Sequence, residues 1–373
     1  MTEPFVEPAY QDRSLGDLVP AVGRALGVDA RLPPTGFDLP PAGAYVVFLV
    51  DGLGYELLRD HPDHAPFLHE HLDGQRPATV GVPSTTATSL TSLGTALTPG
   101  THGVVGFTSR IPGTDDLLNA LLWSSSVDPR EWQPHPTAFE RLVAAGVATT
   151  VVNKREFIGS GLTVAGQRGA SFVGADKIGE RMAAVRLCSD TTPSLTYMYE
   201  GDLDWTGHRH GVASLSWELQ LSMVDAAAEQ LRETLPSSTR IVVVADHGMV
   251  DSPAESRLDA DDHPALLDGV ALLGGEARFR HLYCRGGAVA DVVSAWRSVV
   301  GERAEVLTRD EAVDRGWFGQ VAPVVRPRLG DVMVAARGDF SVMSSSAFPY
   351  ETRLVGLHGS LTSAEMLVPV LVM

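Results

Sequence analysis

The chain has 373 residues, 44% hydrophobic and 20% charged, which excludes disorder as a description of the whole chain and allows one large domain or two smaller ones. Lys and Arg number 29 against 46 Asp and Glu, so the net charge is −17. That charge argues against a nucleic-acid polymer as partner. The two cysteines, Cys188 and Cys284, are too few for a disulfide scaffold or a thiolate zinc cluster.

The longest apolar runs, Ala44–Val50 and Met366–Met373, are shorter than the roughly 18–20 residues that a membrane span requires. The N-terminal sequence has neither the basic start nor the apolar stretch of a secretory signal. We therefore expect no membrane span and a cytoplasmic location. No sequence feature indicates an oligomeric state.

Apolar strand-like runs alternate with helical patterns through most of the chain. After an irregular lead-in with one short helix near residues 15–26, Tyr45–Val50 is a continuous apolar run, which is typical of a strand buried on both faces. This alternation predicts a doubly wound, mostly parallel α/β sheet sandwiched by helices. The later predicted elements are a helix over Thr137–Ala145, strands over Ala148–Val152 and Leu195–Tyr199, a helix over Ser214–Leu235 and a strand over Ile241–Ala245.

Residues 277–328 break this alternation. Arg278–Cys284 alternates charged and apolar residues, Ala288–Val300 has a helical pattern, and Ala304–Leu307 has the pattern of a short strand. We predict that 277–328 forms a small α+β cap inserted into a catalytic core made of 1–276 and 329–373. The core then resumes with a strand at Asp331–Ala335 and ends with a strand at Met366–Met373.

Seven side chains follow predicted strands, begin a predicted helix at Thr86–Leu97 or precede the last strand. Because the carboxyl ends of parallel strands meet at one edge of a sheet, we expect them to converge. Three carboxylates, three imidazoles and a hydroxyl suit a pair of divalent metal ions, with zinc favoured and manganese or cobalt as substitutes. Two metals about 3.5–4 Å apart can stabilise the attacking and leaving oxygens of a phosphoryl displacement. The residues are Asp51, Thr86, Asp204, His208, Asp246, His247 and His358.

Each motif also has an ordinary structural interpretation. Asp51-Gly52 is a common turn sequence, and the run Ser84–Thr101 is also typical of a capped helix with a polar face. The string DWTGHRHG is more specific, because Gly207 and Gly211 leave room for close backbone approach around a ligand histidine. The ordered set, rather than any single motif, therefore indicates a metal site.

The order of these motifs resembles that of the alkaline phosphatase superfamily, and most of all its nucleotide pyrophosphatase/phosphodiesterase (type I phosphodiesterase) branch. The similarity lies in a strand followed by Asp-Gly, then PSTTATSLTSLGTALTPGTHGV, DWTGHRHG, ADHGM and a late LHG. It covers roughly residues 42–110, 190–250 and 350–373.

The resemblance implies that Thr86 is the nucleophile rather than Thr85, since the family pattern has two residues between a proline, here Pro83, and the nucleophile. It implies that Asp51, Thr86, Asp246 and His247 hold one metal ion. Asp204, His208 and His358 would hold the other.

The same resemblance implies hydrolysis of phosphodiesters or nucleotide pyrophosphate bonds through a covalent phosphothreonine intermediate. The partner would be a small phosphorylated substrate, for which a nucleotide is one candidate. Ser89 stands where the family commonly has an Asn that contacts a phosphate oxygen, so Ser89 is a candidate substrate contact. Lys154 and Arg155 follow the strand at 148–152 and are either substrate contacts or solvent-facing charges.

Three alternatives remain open: a phosphomonoesterase, an enzyme resembling phosphonoacetate hydrolase, and a non-catalytic metal-binding protein on the same fold. A sulfatase is excluded because neither cysteine lies in a Cys-x-Pro-x-Arg segment. Cofactor-independent phosphoglycerate mutase is disfavoured because it uses a serine nucleophile and a longer chain. Trp123 and Trp132 are candidates either for stacking on a substrate base or for packing.

Overall fold

Strands and α-helices alternate through the computed structural model, which describes residues 4–373. The strands are β1 (Ala44–Val50), β2 (Ala78–Thr79), β3 (Thr108–Arg110), β4 (Leu117–Asn119), β5 (Ala148–Asn153), β6 (Ser171–Gly174), β7 (Ser194–Glu200), β8 (Thr239–Val244), β9 (Val250–Asp251), β10 (Arg257–Asp259), β11 (Val270–Glu276), β12 (Phe279–Cys284), β13 (Ala304–Thr308), β14 (Val332–Ala336), β15 (Ser341–Met343), β16 (Gly356–Leu357), β17 (Leu367–Val368) and β18 (Val370–Val372). The helices are α1 (Leu18–Ala25), α2 (Tyr55–Asp60), α3 (Pro66–Glu70), α4 (Thr86–Thr95), α5 (Pro99–His102), α6 (Pro129–Trp132), α7 (Ala138–Ala144), α8 (Gly161–Gln167), α9 (Ile178–Cys188), α10 (Asp202–His210), α11 (Leu215–Thr234), α12 (Pro264–Leu267), α13 (Val289–Val300), α14 (Arg309–Asp314) and α15 (Ser363–Met366).

A six-stranded sheet in the order β18-β8-β1-β7-β5-β6 forms the centre of the molecule. Its first five strands in chain order pair in parallel, and only β18 runs antiparallel to its neighbour. Every residue of β1 is buried because the strand lies between β7 and β8 and is covered on both faces. The structure confirms the predicted α/β class with a mostly parallel sheet.

The C-terminal segment differs from the single strand predicted at Met366–Met373. It forms two short strands, β17 paired antiparallel with β2 and β18 paired antiparallel with β8. Pro369 lies between them and has no backbone N–H to donate to a continuous ladder. The segment therefore changes sheets at Pro369.

Helix α4 is buried along its whole length although four of its ten residues are Thr, in addition to two Ser. Two of its hydroxyl groups are bonded to the preceding turn of the helix: Thr91 Oγ1 donates to Ala87 O at 2.7 Å, and Thr95 Oγ1 donates to Thr91 O at 2.6 Å. Such back-bonding lets a hydroxyl-rich helix enter an apolar interior without leaving those hydroxyl groups unpaired. The buried helix holds Thr86 at its first position.

A second, four-stranded sheet has the order β11-β12-β14-β13, with all pairs antiparallel. Its apolar core includes Leu282, Trp296 and Val334 and is separate from that of the central sheet. The sheet contains the predicted strands of 277–328 and also β11 and β14, which lie on either side of that range. The division of the chain into a core and an inserted cap stays a prediction.

Buried ion pairs connect this sheet to the C-terminal loops. Arg278 donates to both carboxylate oxygens of Glu365, at 3.0 and 2.7 Å, and both side chains are fully buried. Arg280 pairs in the same way with Glu351.

None of the helices described within residues 4–373 has the length and apolar character that a membrane span requires.

We expect Arg278→Met to lower the free energy of unfolding by about 3–5 kcal/mol, because it leaves the Glu365 carboxylate buried without its cation. Urea denaturation measures the change. Arg59→Met is the control, since Arg59 pairs with Asp60 at the surface and its loss should change the free energy by about 1 kcal/mol or less. Equal effects of the two substitutions would contradict this role for Arg278.

Candidate active site

All seven predicted metal-site residues lie at the carboxyl edge of the central sheet. Val50 of β1 is level with Glu200 of β7, and Leu49 is level with Val244 of β8. The loops after these three strands therefore start from the same edge, as expected for a parallel sheet. The start of α4 and the loop after β16 add Thr86 and His358 to the same place.

His247 is the centre of one half of the cluster. Its Nε2 lies 3.3 Å from Asp51 Oδ1, 3.8 Å from Asp246 Oδ2 and 3.2 Å from Thr86 Oγ1. Ligand atoms about 2.0–2.2 Å from a tetrahedral zinc ion are roughly 3.3–3.6 Å apart. These separations match the spacing that one metal ion requires.

The other half consists of Asp204, His208 and His358. His208 Nε2 lies 3.4 Å from Asp204 Oδ2 and 3.2 Å from His358 Nε2. Asp204 Oδ1 is 3.9 Å from His358 Nε2. Ligand atoms of these three residues lie within 4.8 Å of one another, and so do those of Asp51, Asp204 and His247. Asp204 thus lies between the two halves.

Backbone carbonyl groups fix the orientation of the three imidazoles. The Nδ1 atoms of His208, His247 and His358 lie 2.7, 2.9 and 2.9 Å from carbonyl oxygens. A carbonyl oxygen only accepts, so each Nδ1 carries a hydrogen, and in the neutral form of the ring Nε2 presents its lone pair to the cluster. Two such lone pairs face each other between His208 and His358, an arrangement that a shared cation stabilises.

The Asp51 and Asp246 side chains are buried, and the Asp204 side chain is 15% exposed with one oxygen buried. Asp51 Oδ1, Asp204 Oδ1 and Asp246 Oδ2 have no hydrogen-bond partner among the described residues. Burial raises the pKa of all three carboxyl groups, and for Asp51 the neighbouring Asp246 and Asp204 raise it further. Burial also lowers the pKa of His358 well below its usual range. Unpaired carboxylate oxygens beside neutral imidazoles are the donor set of a divalent cation site.

Two glycines allow the close approach of these loops. Gly52 has a φ of 74°, and a Cβ there would lie 3.1 Å from Asp204 Oδ1. A Cβ on Gly207 would lie 2.5 Å from Met249 Sδ. A Cβ on Gly356 would lie 2.6 Å from Gly207 O, so the close backbone approach predicted around DWTGHRHG is present at Gly207.

Two polar residues near the cluster were not predicted from the sequence. The Tyr199 hydroxyl donates to Asp51 Oδ2. Glu276, at the end of β11, has its Oε2 3.9 Å from His358 Nδ1, and burial raises the pKa of its carboxyl group to about 8. Tyr199 ends a strand just ahead of a predicted ligand loop, which is the only sequence signal for it; Glu276 has none, because it comes from the second sheet.

The three predicted substrate-contact candidates lie away from Thr86 Oγ1 or are paired with other groups. Ser89 is fully buried, its Oγ has no hydrogen-bond partner in the described chain, and it lines neither of the cavities beside Thr86. Lys154 Nζ lies 2.7 Å from Asp202 Oδ1, and Arg155 pairs with Asp176 at 2.5 Å. The two cations thus neutralise surface carboxylates. A substrate role for Ser89 or Lys154 stays a prediction.

Two cavities meet at Thr86. The larger one, of about 470 Å³, is lined by aromatic side chains and by charged side chains of both signs, the carboxylates being those of Asp204, Glu276 and Glu351. The smaller, of about 170 Å³, is lined mainly by uncharged side chains. Thr86, Leu121 and Asp204 line both cavities. The larger cavity also contains Phe107, Trp205, His208, Arg209, Tyr350, Arg353 and His358.

The two candidate stacking residues, Trp123 and Trp132, pack within the protein, as does the nearby His102. Trp123 and Trp132 contact each other edge to face at a centroid distance of 6.5 Å and line neither cavity beside Thr86. Trp132 Nε1 donates to Gly103 O at 3.0 Å. His102 is buried and bonds Ser92 Oγ at 2.9 Å. These residues stabilise the fold around α4.

Residues 45–361 match the sequence model of the family described as type I phosphodiesterase / nucleotide pyrophosphatase. The chain belongs to this family. It is accordingly a hydrolase of the class that acts on phosphoester bonds.

Solved structures share the fold at low sequence identity. Murine ectonucleotide pyrophosphatase/phosphodiesterase 5 has a TM-score of 0.68 and 17% identity, with 88% of this chain and 87% of that chain covered. The human protein of the same name has a TM-score of 0.68 and 15% identity, with coverage of 88% and 87%. Phosphonoacetate hydrolase from Sinorhizobium meliloti 1021, in complex with phosphonoformate, has a TM-score of 0.64 and 20% identity, with coverage of 90% and 91%.

Proposed function

We propose that the protein is a metal-dependent hydrolase of phosphodiesters or nucleotide pyrophosphate bonds, with Thr86 as nucleophile. The observation that carries this proposal is the position of Thr86 Oγ1. It lies 3.2 Å from His247 Nε2 at the start of α4, between the two cavities. A phosphorus atom held there would have one substituent in each cavity.

We assign Asp51, Thr86, Asp246 and His247 to one divalent ion, with zinc favoured and manganese or cobalt as substitutes. The second ion would be held by Asp204, His208 and His358. When bound, such ions lower the pKa of a hydroxyl group or water and neutralise charge on phosphate oxygens.

The chain itself supplies orientation and hydrogen-bond donors. The N-cap residue Thr85 makes no side-chain capping bond to α4, so the N–H groups of the first helical turn are available to a phosphate oxygen. The attack of Thr86 on phosphorus releases the first leaving group and forms a covalent intermediate. A diester substrate gives a phosphothreonine diester, and a monoester substrate gives a phosphothreonine monoester. Water then hydrolyses this intermediate and restores the Thr86 hydroxyl.

The charges around Thr86 favour a diester over a monoester. A monoester dianion has one more negative charge on its non-bridging oxygens, which cations usually stabilise. Lys154 and Arg155 are engaged with Asp202 and Asp176, and Arg209 and Arg353 line the outer, larger cavity. A single negative charge therefore suits the immediate surroundings of Thr86 Oγ1.

A nucleotide fits this proposal as one substrate candidate. An inactive threonine-to-alanine variant of murine ectonucleotide pyrophosphatase/phosphodiesterase 5 was solved in complex with AMP and has a TM-score of 0.69 to this chain. The structural similarity to phosphonoacetate hydrolase supports hydrolysis of a phosphonate equally, so a phosphonate belongs in any substrate panel. A cytoplasmic location stays part of the proposal.

Thr86→Ala should reduce kcat by at least about a thousandfold, because it removes the attacking oxygen. The metal content should remain nearly unchanged, since six other ligands are present. Steady-state kinetics and elemental analysis of the same preparation give both values. Thr85→Ala is the matched control, as Thr85 also lines the larger cavity and should retain most of the activity. An inactive Thr85→Ala with an active Thr86→Ala would show that the nucleophile is misassigned.

We expect kcat/KM for bis-p-nitrophenyl phosphate to exceed that for p-nitrophenyl phosphate by about tenfold or more, which is the order of one missing charged hydrogen bond. Lys154→Ala and Arg155→Ala should keep this ratio, because both side chains are paired elsewhere. A preference for the monoester that disappears in either variant would reverse the assignment, and faster hydrolysis of phosphonoacetate would favour the phosphonate alternative.

A further inference from the structure

Tyr199 lies beside the ligand cluster, on the strand that leads into α10. It is the second-last residue of β7, which pairs in parallel with β1 and places Tyr199 level with Leu49. Asp51 follows the last residue of β1, and Asp204 and His208 belong to α10. The Tyr199 side chain therefore starts one strand away from Asp51, at the carboxyl edge of the sheet.

The Tyr199 hydroxyl distinguishes the two oxygens of the Asp51 carboxylate. It donates a hydrogen bond to Oδ2. Oδ1 has no hydrogen-bond partner among the described residues and lies 3.3 Å from His247 Nε2. Because a turn of the carboxylate about its Cβ–Cγ bond would break the hydrogen bond to Oδ2, the Tyr199 hydroxyl keeps Oδ1 directed at the point that His247 faces.

Packing holds the Tyr199 ring in place. The Phe157 ring contacts it edge to face, at a centroid distance of 6.2 Å. Gly201, the N-cap residue of α10, lies so close that a Cβ there would be 2.9 Å from the Tyr199 hydroxyl oxygen. The hydroxyl group is therefore confined between the Asp51 carboxylate and the start of the helix that carries Asp204 and His208.

Tyr197 provides an internal comparison. It lies two residues earlier on β7, so its side chain is on the same face of the sheet. Its hydroxyl is also buried but has no hydrogen-bond partner in the described chain. Of these two tyrosines, only Tyr199 donates to a proposed metal ligand. Tyr199 also lines the smaller cavity, so a contact with substrate is the alternative role that an experiment has to separate.

We propose that Tyr199 is a positioning residue for Asp51: its hydroxyl holds Oδ2 so that Oδ1 is presented to the divalent ion assigned to Asp51 and His247. This proposal rests on the metal assignment in the function proposed above. Tyr199→Phe keeps the ring and its packing but removes the donor, which leaves Asp51 Oδ2 unpaired and the carboxylate free to turn. The ion assigned to Asp51 should then bind more weakly, whereas the other ion should not.

Zinc binding to Tyr199→Phe protein, measured in competition with a coloured chelator, tests this proposal without turnover. We expect the dissociation constant of one ion to rise by about 10–100-fold, the usual effect of losing a group that orients a metal ligand. The dissociation constant of the other ion should stay that of the wild type. Tyr197→Phe is the matched control, and both ions should bind to it as they do to the wild type. Cobalt titration followed by visible absorption should show altered bands for one ion in Tyr199→Phe alone.

Two further backgrounds identify the affected ion. His358→Ala weakens the ion that is not assigned to Asp51, so adding Tyr199→Phe should weaken the remaining, tighter ion by the same factor as before. Asp246→Ala weakens the ion of Asp51 itself, so adding Tyr199→Phe should leave the tighter ion unchanged. The opposite pattern would contradict an action of Tyr199 through Asp51.

Activity at limiting and at saturating zinc separates a positioning role from a contact with substrate. At limiting zinc, kcat for bis-p-nitrophenyl phosphate should fall in Tyr199→Phe, and most of it should return when zinc exceeds the new dissociation constant. Unchanged zinc affinity, or a raised KM that zinc does not restore, would overturn the proposal, and so would an equal loss of affinity in Tyr197→Phe. These results would leave the proposed hydrolase function intact. Wild-type protein that binds no divalent ion would contradict that function, and this proposal with it.

Discussion

Three carboxylates that are held together at the edge of the central sheet impose the main constraint on this structure. Asp51, Asp204 and Asp246 each have an oxygen without a partner in the described chain. Burial and mutual repulsion raise the pKa of the Asp51 carboxyl group well above its usual range. A native cluster of this kind requires either protonation or cations. The neutral imidazoles that face the same point favour cations.

The rest of the fold holds these groups together against their repulsion. The three loops that follow β1, β7 and β8 and carry proposed metal ligands begin at one edge of the parallel sheet. Backbone carbonyl groups orient the three imidazoles. Glu365 connects two of the histidine loops, since its Oε1 accepts from Ser360 N at 3.0 Å and its carbonyl accepts from Gly248 N at 2.9 Å. Arg278 neutralises Glu365. The second sheet therefore contributes to the rigidity of the metal site without supplying any of its seven proposed ligands.

Local sequence signals were sufficient for much of the fold. The apolar run at 45–50, the β-branched run at 148–152 and the helical pattern over Ser214–Leu235 all predicted elements that the structure contains. These signals depend on neighbouring residues and on burial, which a sequence displays directly. The antiparallel course of β18 was not predicted, because strand direction depends on the path of the chain after Pro369.

The site residues likewise fall into those that the sequence predicted and those that it did not. The seven proposed ligands follow strands or begin a helix, so their convergence followed from topology. Arg278 and Arg280 lie in a strand where alternating charged and apolar residues are typical of a half-exposed face. Both arginines are instead buried, because their partners Glu365 and Glu351 are distant in sequence.

The most direct test of this account is the metal content of the purified, fully active protein, determined by elemental analysis together with its activity after exhaustive chelation. The account predicts two divalent ions per chain, loss of activity when they are removed and recovery when zinc or manganese is returned. Asp246→Ala and His358→Ala should each lower the occupancy, since the two residues are assigned to different ions. Full activity in a sample shown to be free of metal would contradict the central claim.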